Sequence, residues 1–360
     1  MRMASGPGRR RAIGAGLAAW VAAVASAGVG CRVELGAPRP VGAEGAAGGA
    51  PAGELWVCTS LYQHVVDDLE RVARAALPEV KLQWFTGGSE KVSQRIDAEL
   101  AAGGTRCDVL LVSDPFFFHR LAREGHLHPY VAPRALRADR SLVDLDGRWV
   151  TTRQAAMVIA YDPRQVDAAR APRSFAALGD PVWRGKLIMG DPLASGTFFT
   201  TIAFLAERYG DAYFERLRAN EIVATGGNSA VVERVAAGEF VAGPVLLENV
   251  LAARRKGASL DFVVPEDGAV VIPGPVAIFA ASPHRAAAEA FVDLLFTEAG
   301  QAVMVRGDMY PADPALAGPT GAPPWAELAA GAMPWSPEFI ARTEARAVEL
   351  RAGFRKVVQR

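Results

Sequence analysis

The sequence predicts an α/β protein of two lobes, each built on a mostly parallel sheet flanked by helices. A chain of 360 residues exceeds what one compact core usually holds. Short apolar runs alternate with segments whose apolar residues recur at helical spacing. Two longer apolar runs, 149–161 and 269–280, are predicted to be extended and to join the lobes as two crossings.

The first lobe begins with three strand–helix units. Ser89 is the expected N-cap of the second helix. The βαβαβα order predicts a parallel sheet with right-handed crossovers. The predicted strands are 55–58, 80–85 and 108–112, and the helices that follow them are 65–76, 90–102 and 116–124.

A second set of α/β units lies between the two crossings. The second crossing is interrupted by Pro273-Gly274-Pro275 and returns the chain to the first lobe, where helix 286–295 follows. We therefore expect a first lobe of residues 54–152 and 270–312 and a second lobe of residues 153–269. The predicted strands of the second lobe are 186–189, 221–224, 242–247 and 260–264, and its helices are 198–209 and 230–237.

The last segment, 313–360, is predicted to hold an irregular stretch and one helix. Residues 313–335 are rich in Pro, Gly and Ala and are expected to be irregular. The helix is expected to begin at Ser336, with Pro337 at its first position, and to end near Val358. We expect it to pack on the outside of the protein.

The N-terminal segment, 1–31, has the layout of an export signal. Three arginines, Arg9 to Arg11, precede an uncharged apolar run over residues 12–30 that is mostly Ala and Gly. Residues 32–53 are so poor in large apolar side chains that we expect a tether. The sequence thus predicts a protein that is exported to the periplasm.

The residues around Cys31 resemble the lipobox of bacterial lipoproteins. Gly28-Val29-Gly30-Cys31 ends the apolar run, although the lipobox pattern prefers Leu at the first of these positions. The resemblance implies that Cys31 is acylated and tethers the protein to the membrane. An uncleaved anchor or an ordinary signal cut elsewhere remains the alternative.

Two further cysteines, Cys58 and Cys107, are expected to be buried thiols. Cys58 lies near the end of one predicted strand and Cys107 at the start of a parallel one. That placement separates their Cα atoms by more than the roughly 7 Å that a disulfide allows. We therefore expect no bond between them.

Charge and motifs exclude several classes of function. The 39 Lys and Arg residues balance 39 Asp and Glu residues, so no broad positive field is available for nucleic acid. The chain has no nucleophile elbow, zinc-protease motif, Walker loop or dinucleotide fingerprint. We predict no catalytic residue and no cofactor; an exported hydrolase that uses Ser195 is the alternative from another class.

Five short motifs stand out along the chain: W-F-T-G-G-S-E-K at 84–91, C-D-V-L-L-V-S-D-P at 107–115, G-D-P-L-A-S-G-T at 190–197, V-A-A-G-E at 235–239 and T-E-A-G-Q at 297–301. Together they resemble the type II periplasmic binding proteins, which are two α/β lobes joined by two crossings. The similar group is that of the ferric-iron, phosphonate, thiamine and phospho-sugar receptors, over about residues 54–312. The resemblance implies a monomeric receptor that hands a small-molecule or metal ligand to the permease of an ABC importer.

Small polar residues follow the predicted strands at one edge of each sheet, where ligands bind in open α/β folds. Most of these loops lead into a helix N-terminus, whose free N–H groups suit phosphate, phosphonate or carboxylate. Taken singly, each Ser or Thr is better explained as a helix cap or turn former. The recurrence of five such loops at the same sheet edge, facing each other across a two-lobed cleft, favours a shared ligand site for the set. The candidate ligand-binding residues in these loops are Thr59, Ser60, Tyr62, Gly88, Ser89, Ser113, Asp114, Ser195, Gly196, Thr197, Asn228 and Ser229.

Ferric iron is the second ligand class that we consider. The iron receptors of the group carry a tyrosine pair after the strand 242–247, where this sequence has Glu248 and Asn249. If iron is bound, the expected ligands are Tyr62, Asp114 and Glu248. Glu248 is also a candidate partner for the amine of a zwitterionic ligand. The nearby histidines His119, His126 and His128 are expected to be surface residues with no metal.

We expect Cys31→Ala to abolish membrane attachment. In a bacterial host, the wild-type chain should label with palmitate and enter the membrane fraction after processing that globomycin blocks. A Gly30→Ala variant, which keeps a small residue before Cys31, is the control. Unchanged processing of the Cys31→Ala chain would contradict the lipoprotein prediction.

Overall fold

The computed structural model describes residues 52–137 and 143–358. The predicted signal segment, Cys31 and residues 32–51 of the predicted tether therefore lie outside the described residues. Within the described part of the chain, no helix is both long and apolar enough to cross a membrane. The elements follow the predicted alternation of strands and helices.

The first lobe holds a parallel core of three strands. β1 pairs in parallel with β2 on one side and with β3 on the other, as the strand–helix alternation predicts. The elements are β1 (Gly53–Thr59), α1 (Gln63–Ala76), β2 (Val80–Thr86), α2 (Ser89–Ala101), β3 (Val109–Leu111), α3 (Pro115–Arg123) and the short β4 (Leu127–His128).

Two long strands, β5 (Val150–Tyr161) and β10 (Val270–Phe279), connect the lobes. They pair antiparallel from Val270 opposite Met157 to Val276 opposite Val150, and every residue of both is buried. β10 also pairs with β3 and β4 of the first lobe. The far end of β5 pairs with strands of the second lobe. We call this pair the hinge strands.

The second lobe surrounds the far end of β5. β8 and β9 pair with β5, and β6 pairs in parallel with β7. The helices α5 and α7 were not predicted. The elements are β6 (Ile188–Met189), α4 (Gly196–Tyr209), α5 (Asp211–Ala219), β7 (Val223–Ala224), α6 (Asn228–Ala236), β8 (Ala242–Leu246), α7 (Leu247–Arg255) and β9 (Asp261–Val263).

After β10 the chain returns to the first lobe and ends in a long helix. The region predicted to be irregular contains one short helix, α10, because residues 325–330 lack Pro and Gly. The final helix begins and ends as predicted. The elements are α8 (Arg285–Leu295), α9 (Glu298–Arg306), β11 (Tyr310–Pro311), α10 (Trp325–Ala330) and α11 (Pro337–Val358).

The helix α11 contacts both lobes. Its apolar side packs on α4 and α5, where the rings of Phe204 and Phe339 stack with centroids 4.1 Å apart. Toward the first lobe, Arg351 donates to Glu90 at 2.7 Å and Glu344 pairs with Arg123. The prediction that α11 packs outside is therefore incomplete, since the helix also reaches α2 and α3.

The prediction for the cysteines was wrong, because Cys58 and Cys107 form a disulfide with their Cα atoms 5.8 Å apart. The chain bends at Asp108, whose carboxylate accepts a hydrogen bond from the Trp56 N–H at 2.8 Å. β3 therefore begins at Val109 and not at Asp108 as predicted, and the bend brings Cys107 close to Cys58.

Replacing both cysteines, as Cys58→Ala with Cys107→Ala, is expected to lower the free energy of unfolding by about 2–4 kcal/mol. The bond links residues 49 positions apart and so restricts the unfolded chain. Urea unfolding of the exported protein measures the change, with chemically reduced wild type as the control. Two free thiols in unfolded, unreduced protein would show that the bond is absent.

Candidate functional site

The most unusual polar side chain of the hinge strands is Arg153. It is the only charged residue of β5 and is 2% exposed. Its Nη2 donates to the Ser113 hydroxyl at 2.9 Å, whereas its Nη1 is buried without a hydrogen-bond partner. Burial lowers the pKa of the guanidinium to about 10, so the group still carries a full positive charge at neutral pH.

Glu248, in the first turn of α7, approaches Arg153 from the second lobe. It is 5% exposed, and burial raises the pKa of its carboxyl to about 8 despite the opposing effect of the Arg153 charge. Arg153 and Glu248, both described by the structure, form no ion pair within 4.0 Å. The carboxyl is thus mostly protonated at pH 7, and the region around it is net positive.

Tyr62 approaches the same region from the start of α1 in the first lobe. Its hydroxyl donates to Asn249 Oδ1 at 2.7 Å, a bond that joins the two lobes. Burial, together with the charge of Glu248, raises the pKa of the Tyr62 phenol. The phenol is therefore neutral. Asn249 in turn lies 3.5 Å from the hydroxyl of Ser229, at the start of α6.

Thr59 and Ser60, at the end of β1, form hydrogen bonds with the end of β3 and the loop that follows it. The Thr59 hydroxyl donates to the Leu111 carbonyl at 2.8 Å and accepts from the Leu61 N–H. The Ser60 hydroxyl accepts from the Ser113 N–H at 3.1 Å. Ser60 therefore holds the loop that presents Ser113 to Arg153, while Thr59 is fully buried and satisfied within the protein.

A second group of the predicted residues lies where helix starts of the two lobes meet. Ser89, at the start of α2, accepts the Gly196 N–H at 2.9 Å from the start of α4. A Cβ at Gly196 would lie 2.7 Å from that hydroxyl, so the contact depends on glycine. A Cβ at Gly88 would lie 3.2 Å from the Ala194 carbonyl, on the opposite lobe. We call this contact the interlobe seam.

The other polar residues at the interlobe seam bond to one another. The Ser195 and Thr197 hydroxyls lie 2.9 Å apart, and Asn228 Nδ2 donates to Thr197 at 3.0 Å. Asn228 Oδ1 accepts from the Leu246 N–H at 3.1 Å and so fixes α6 to β8. These side chains use their hydrogen-bonding capacity inside the protein.

Asp114 belongs to the seam and not to the region around Arg153. It caps α3 by accepting from the Phe117 N–H at 3.3 Å. Burial, reinforced by the charge of Glu90, raises the pKa of its carboxyl to about 6, and Arg351 opposes that shift. The three residues predicted as iron ligands are thus divided, since only Tyr62 and Glu248 lie near Arg153.

The structure therefore divides the sequence-predicted residues into two groups, and their roles in binding stay predictions. Within the described ranges, no group of three His, Cys, Asp or Glu side chains could hold a metal. His119 packs edge-on against Trp149, with ring centroids 5.1 Å apart, and is half-buried instead of fully at the surface. The first group comprises Tyr62, Ser113 and Glu248 near Arg153, with Ser60 linked through Ser113 and Ser229 next to Asn249. The second group, at the seam, comprises Gly88, Ser89, Asp114, Ser195, Gly196, Thr197 and Asn228.

Arg153 was not predicted from the sequence, because the predicted binding residues all lie in loops that follow strands and Arg153 lies within a strand. The available signal was a single charge in an otherwise uncharged stretch of 12 residues, within a segment predicted to be a crossing. A buried charge is retained only where a partner or a ligand compensates it. That pattern alone would have marked Arg153 as a candidate.

Comparison with known proteins gives a family and a fold. The model of a family described as bacterial extracellular solute-binding protein matches residues 106–329, more than half of the chain. The Fe(3+)-binding periplasmic protein of Serratia marcescens is 25% identical over 175 residues, which cover 46% of this chain and 51% of that protein. The chain spans about half or less of the length of the curated relatives it matches.

Two solved structures share the fold over most of this chain. The substrate-binding protein of an ABC transporter from Agrobacterium tumefaciens superposes with a TM-score of 0.77 at 19% identity, covering 87% of this chain and 96% of its own. AfuA from Actinobacillus pleuropneumoniae, with fructose-6-phosphate bound, gives 0.73 at 20% identity, covering 85% and 98%. The two-lobed α/β architecture predicted from the sequence is confirmed.

Glu248→Gln is expected to stabilise the protein at pH 8 more than at pH 5. The folded carboxyl has a pKa of about 8, above its ordinary value of 4.5, so wild type loses stability as pH rises between those values. Gln mimics the protonated carboxyl, so the variant should avoid this loss. At pH 8 its free energy of unfolding should exceed that of wild type by at least about 1 kcal/mol. Urea unfolding at both pH values measures the difference.

The matched control is Glu298→Gln, at an exposed glutamate in the first turn of α9. It should leave the pH dependence of wild type unchanged. The same pH dependence in Glu248→Gln and wild type would mean that Glu248 is not held in its protonated form.

Proposed function

Because the chain belongs to the family of bacterial extracellular solute-binding proteins, we propose that it captures a small anionic solute between its lobes and delivers it to an ABC permease. The observation that carries the proposal is the buried guanidinium of Arg153, whose Nη1 has no partner. A phosphorylated or phosphonate compound is the ligand class that this group fits best.

The charges around Arg153 favour an anion. With Glu248 protonated and Tyr62 neutral, nothing in the immediate surroundings neutralises the guanidinium at pH 7. A buried charge without a counter-charge costs several kcal/mol, and a ligand oxyanion would offset that cost. Arginine is suited to this role because its planar fork donates to two oxygens of a phosphate or carboxylate at once.

The positions of the surrounding groups fit a ligand that holds the lobes together. Ser113 and Tyr62 come from the first lobe, Glu248 and Asn249 from the second, and Arg153 from a strand that both share. A ligand that contacts all three parts would favour the arrangement in which they are close, which is hinge closure in physical terms. The fructose-6-phosphate bound to AfuA, which shares the fold, supports a phosphorylated solute.

Ferric iron is the second candidate. The Serratia marcescens relative is described as an Fe(3+)-binding periplasmic protein, and Tyr62 and Glu248 offer hard oxygen ligands near each other. However, the Tyr62 phenol is held neutral, and the adjacent Arg153 charge repels a cation. Iron binding here would therefore require an accompanying anion on Arg153.

The remaining proposals concern location and chemistry. We propose that the protein acts in the periplasm, as a monomer tethered through Cys31, because a receptor must stay near its permease. We propose no catalytic role for Ser195, whose hydroxyl bonds to Thr197 at the start of α4. The family to which the chain belongs is one of binding proteins.

Arg153→Ala is expected to weaken binding of the anionic ligand by about 100-fold, since a charge-assisted contact in a buried site contributes about 2–3 kcal/mol. Calorimetry on protein unfolded and refolded to remove bound solute measures affinity for inorganic phosphate, methylphosphonate, 2-aminoethylphosphonate and fructose 6-phosphate. Arg164→Ala, at an exposed arginine paired with Asp162, is the control.

The outcomes separate the two candidates. Binding of none of these anions, or equal binding by Arg153→Ala, would contradict the anion proposal. A visible charge-transfer band on adding ferric citrate, lost in Tyr62→Phe, would establish iron instead. Preference for 2-aminoethylphosphonate that disappears in Glu248→Gln would assign the amine of a zwitterionic ligand to Glu248.

A further inference from the structure

The hinge strand opposite Arg153 carries the sequence Pro273-Gly274-Pro275. Gly274 is the direct cross-strand partner of Arg153, and the register shifts between Gly274 and Pro275. The next pair joins Pro275 to Thr151, which leaves Thr152 without a partner in the ladder. The Thr152 hydroxyl instead donates to the Gly274 carbonyl at 3.0 Å. A bulge of this kind changes the direction of neighbouring side chains.

The guanidinium of Arg153 lies directly over Gly274. A Cβ built at Gly274 would lie 2.7 Å from both Cζ and Nη1 of Arg153, and 2.8 Å from its Cγ. Real Cβ atoms essentially never show contacts this short. Arg153 cannot move aside freely, because its side chain is buried and bonded to Ser113.

The backbone conformation at residue 274 does not require a glycine. Gly274 is not among the glycines with positive φ, so an L-residue could adopt its backbone conformation. Its two proline neighbours are restricted to φ near −65°, which further limits how the segment could move away from Arg153. The absence of a side chain at residue 274 is therefore required for space.

We propose that Gly274 is a positioning residue for ligand capture: it leaves the space in which Arg153 lies across the hinge strands, with one nitrogen on Ser113 and the other free for an anion. A side chain at residue 274 would displace the guanidinium from Ser113 or separate the strands. The part that concerns ligand binding rests on the proposed function, whereas the steric coupling between Gly274 and Arg153 does not.

A double-mutant cycle tests the proposal, with wild type, Gly274→Ala, Arg153→Ala and the double variant. Without ligand, Gly274→Ala should lower the Tm by about 3 °C or more. In the Arg153→Ala background the same change should have almost no effect, because the atoms that it would clash with are gone. The double variant should therefore have the same Tm as Arg153→Ala alone. An equal loss of Tm in both backgrounds would overturn the proposal, since it would assign Gly274 to the strand backbone alone.

Affinity for inorganic phosphate gives the functional readout. Gly274→Ala should weaken phosphate binding by at least about tenfold in the Arg153 background, and should change nothing once Arg153 is alanine. The control is Gly104→Ala, where a Cβ meets nothing within 4 Å and φ is not positive; it should match wild type in both measurements.

The outcomes distinguish this inference from the proposed function. If Arg153→Ala binds phosphate as wild type does, the anion proposal fails while the Tm cycle still decides the steric coupling. If Arg153→Ala loses phosphate but Gly274→Ala retains it fully, the positioning role is wrong and the anion proposal stands. A Gly274→Ala chain that does not fold, but folds when Arg153→Ala is added, would support the coupling in its strongest form.

Discussion

The constraint on which this structure depends is the burial of one positive charge at the junction of its two lobes. The guanidinium of Arg153 loses most of its hydration, and the fold supplies only one hydrogen bond in return. Its surroundings reduce the cost in two ways, since Ser113 accepts one N–H and Gly274 leaves room for the group. Glu248 is mostly protonated at neutral pH and supplies no full counter-charge. The hinge strands can hold such a group because they pair along most of their length and every residue of both is buried.

Much of the fold could be predicted from the sequence because the period of the apolar pattern changes at each strand–helix boundary. α7 could not, since it begins at Leu247 directly after β8 ends at Leu246, and no turn residue marks the change. The error on Cys58 and Cys107 has a similar origin. The Cys58–Cys107 bond depends on a bend at Asp108, and the hydrogen bond from the Trp56 N–H to the Asp108 carboxylate holds that bend. These two residues are 52 positions apart, and the local sequence pattern does not reveal so distant a contact.

The site was predictable in outline only. Recurrence of small polar loops at the sheet edge indicated where the lobes would meet, and Ser89, Gly196 and Asn228 do lie there. The polar groups of these loops form hydrogen bonds with one another. Their recurrence therefore did not distinguish residues that join the lobes from residues left free for a ligand. The unpaired group is instead in the middle of a strand. Only the three-dimensional arrangement shows that Arg153 has a nitrogen without a partner.

The C-terminal helix α11 connects the two lobes at the outer surface of the protein. α11 has 22 residues and is therefore about 33 Å long, with its apolar side fixed to the second lobe. Its pairs with Glu90 and Arg123 cross to the first lobe, so any rotation about the hinge strands must stretch or re-form them. Partly exposed ion pairs are screened by dissolved salt. The ease with which the lobes separate should thus depend on ionic strength, through side chains that never touch the ligand.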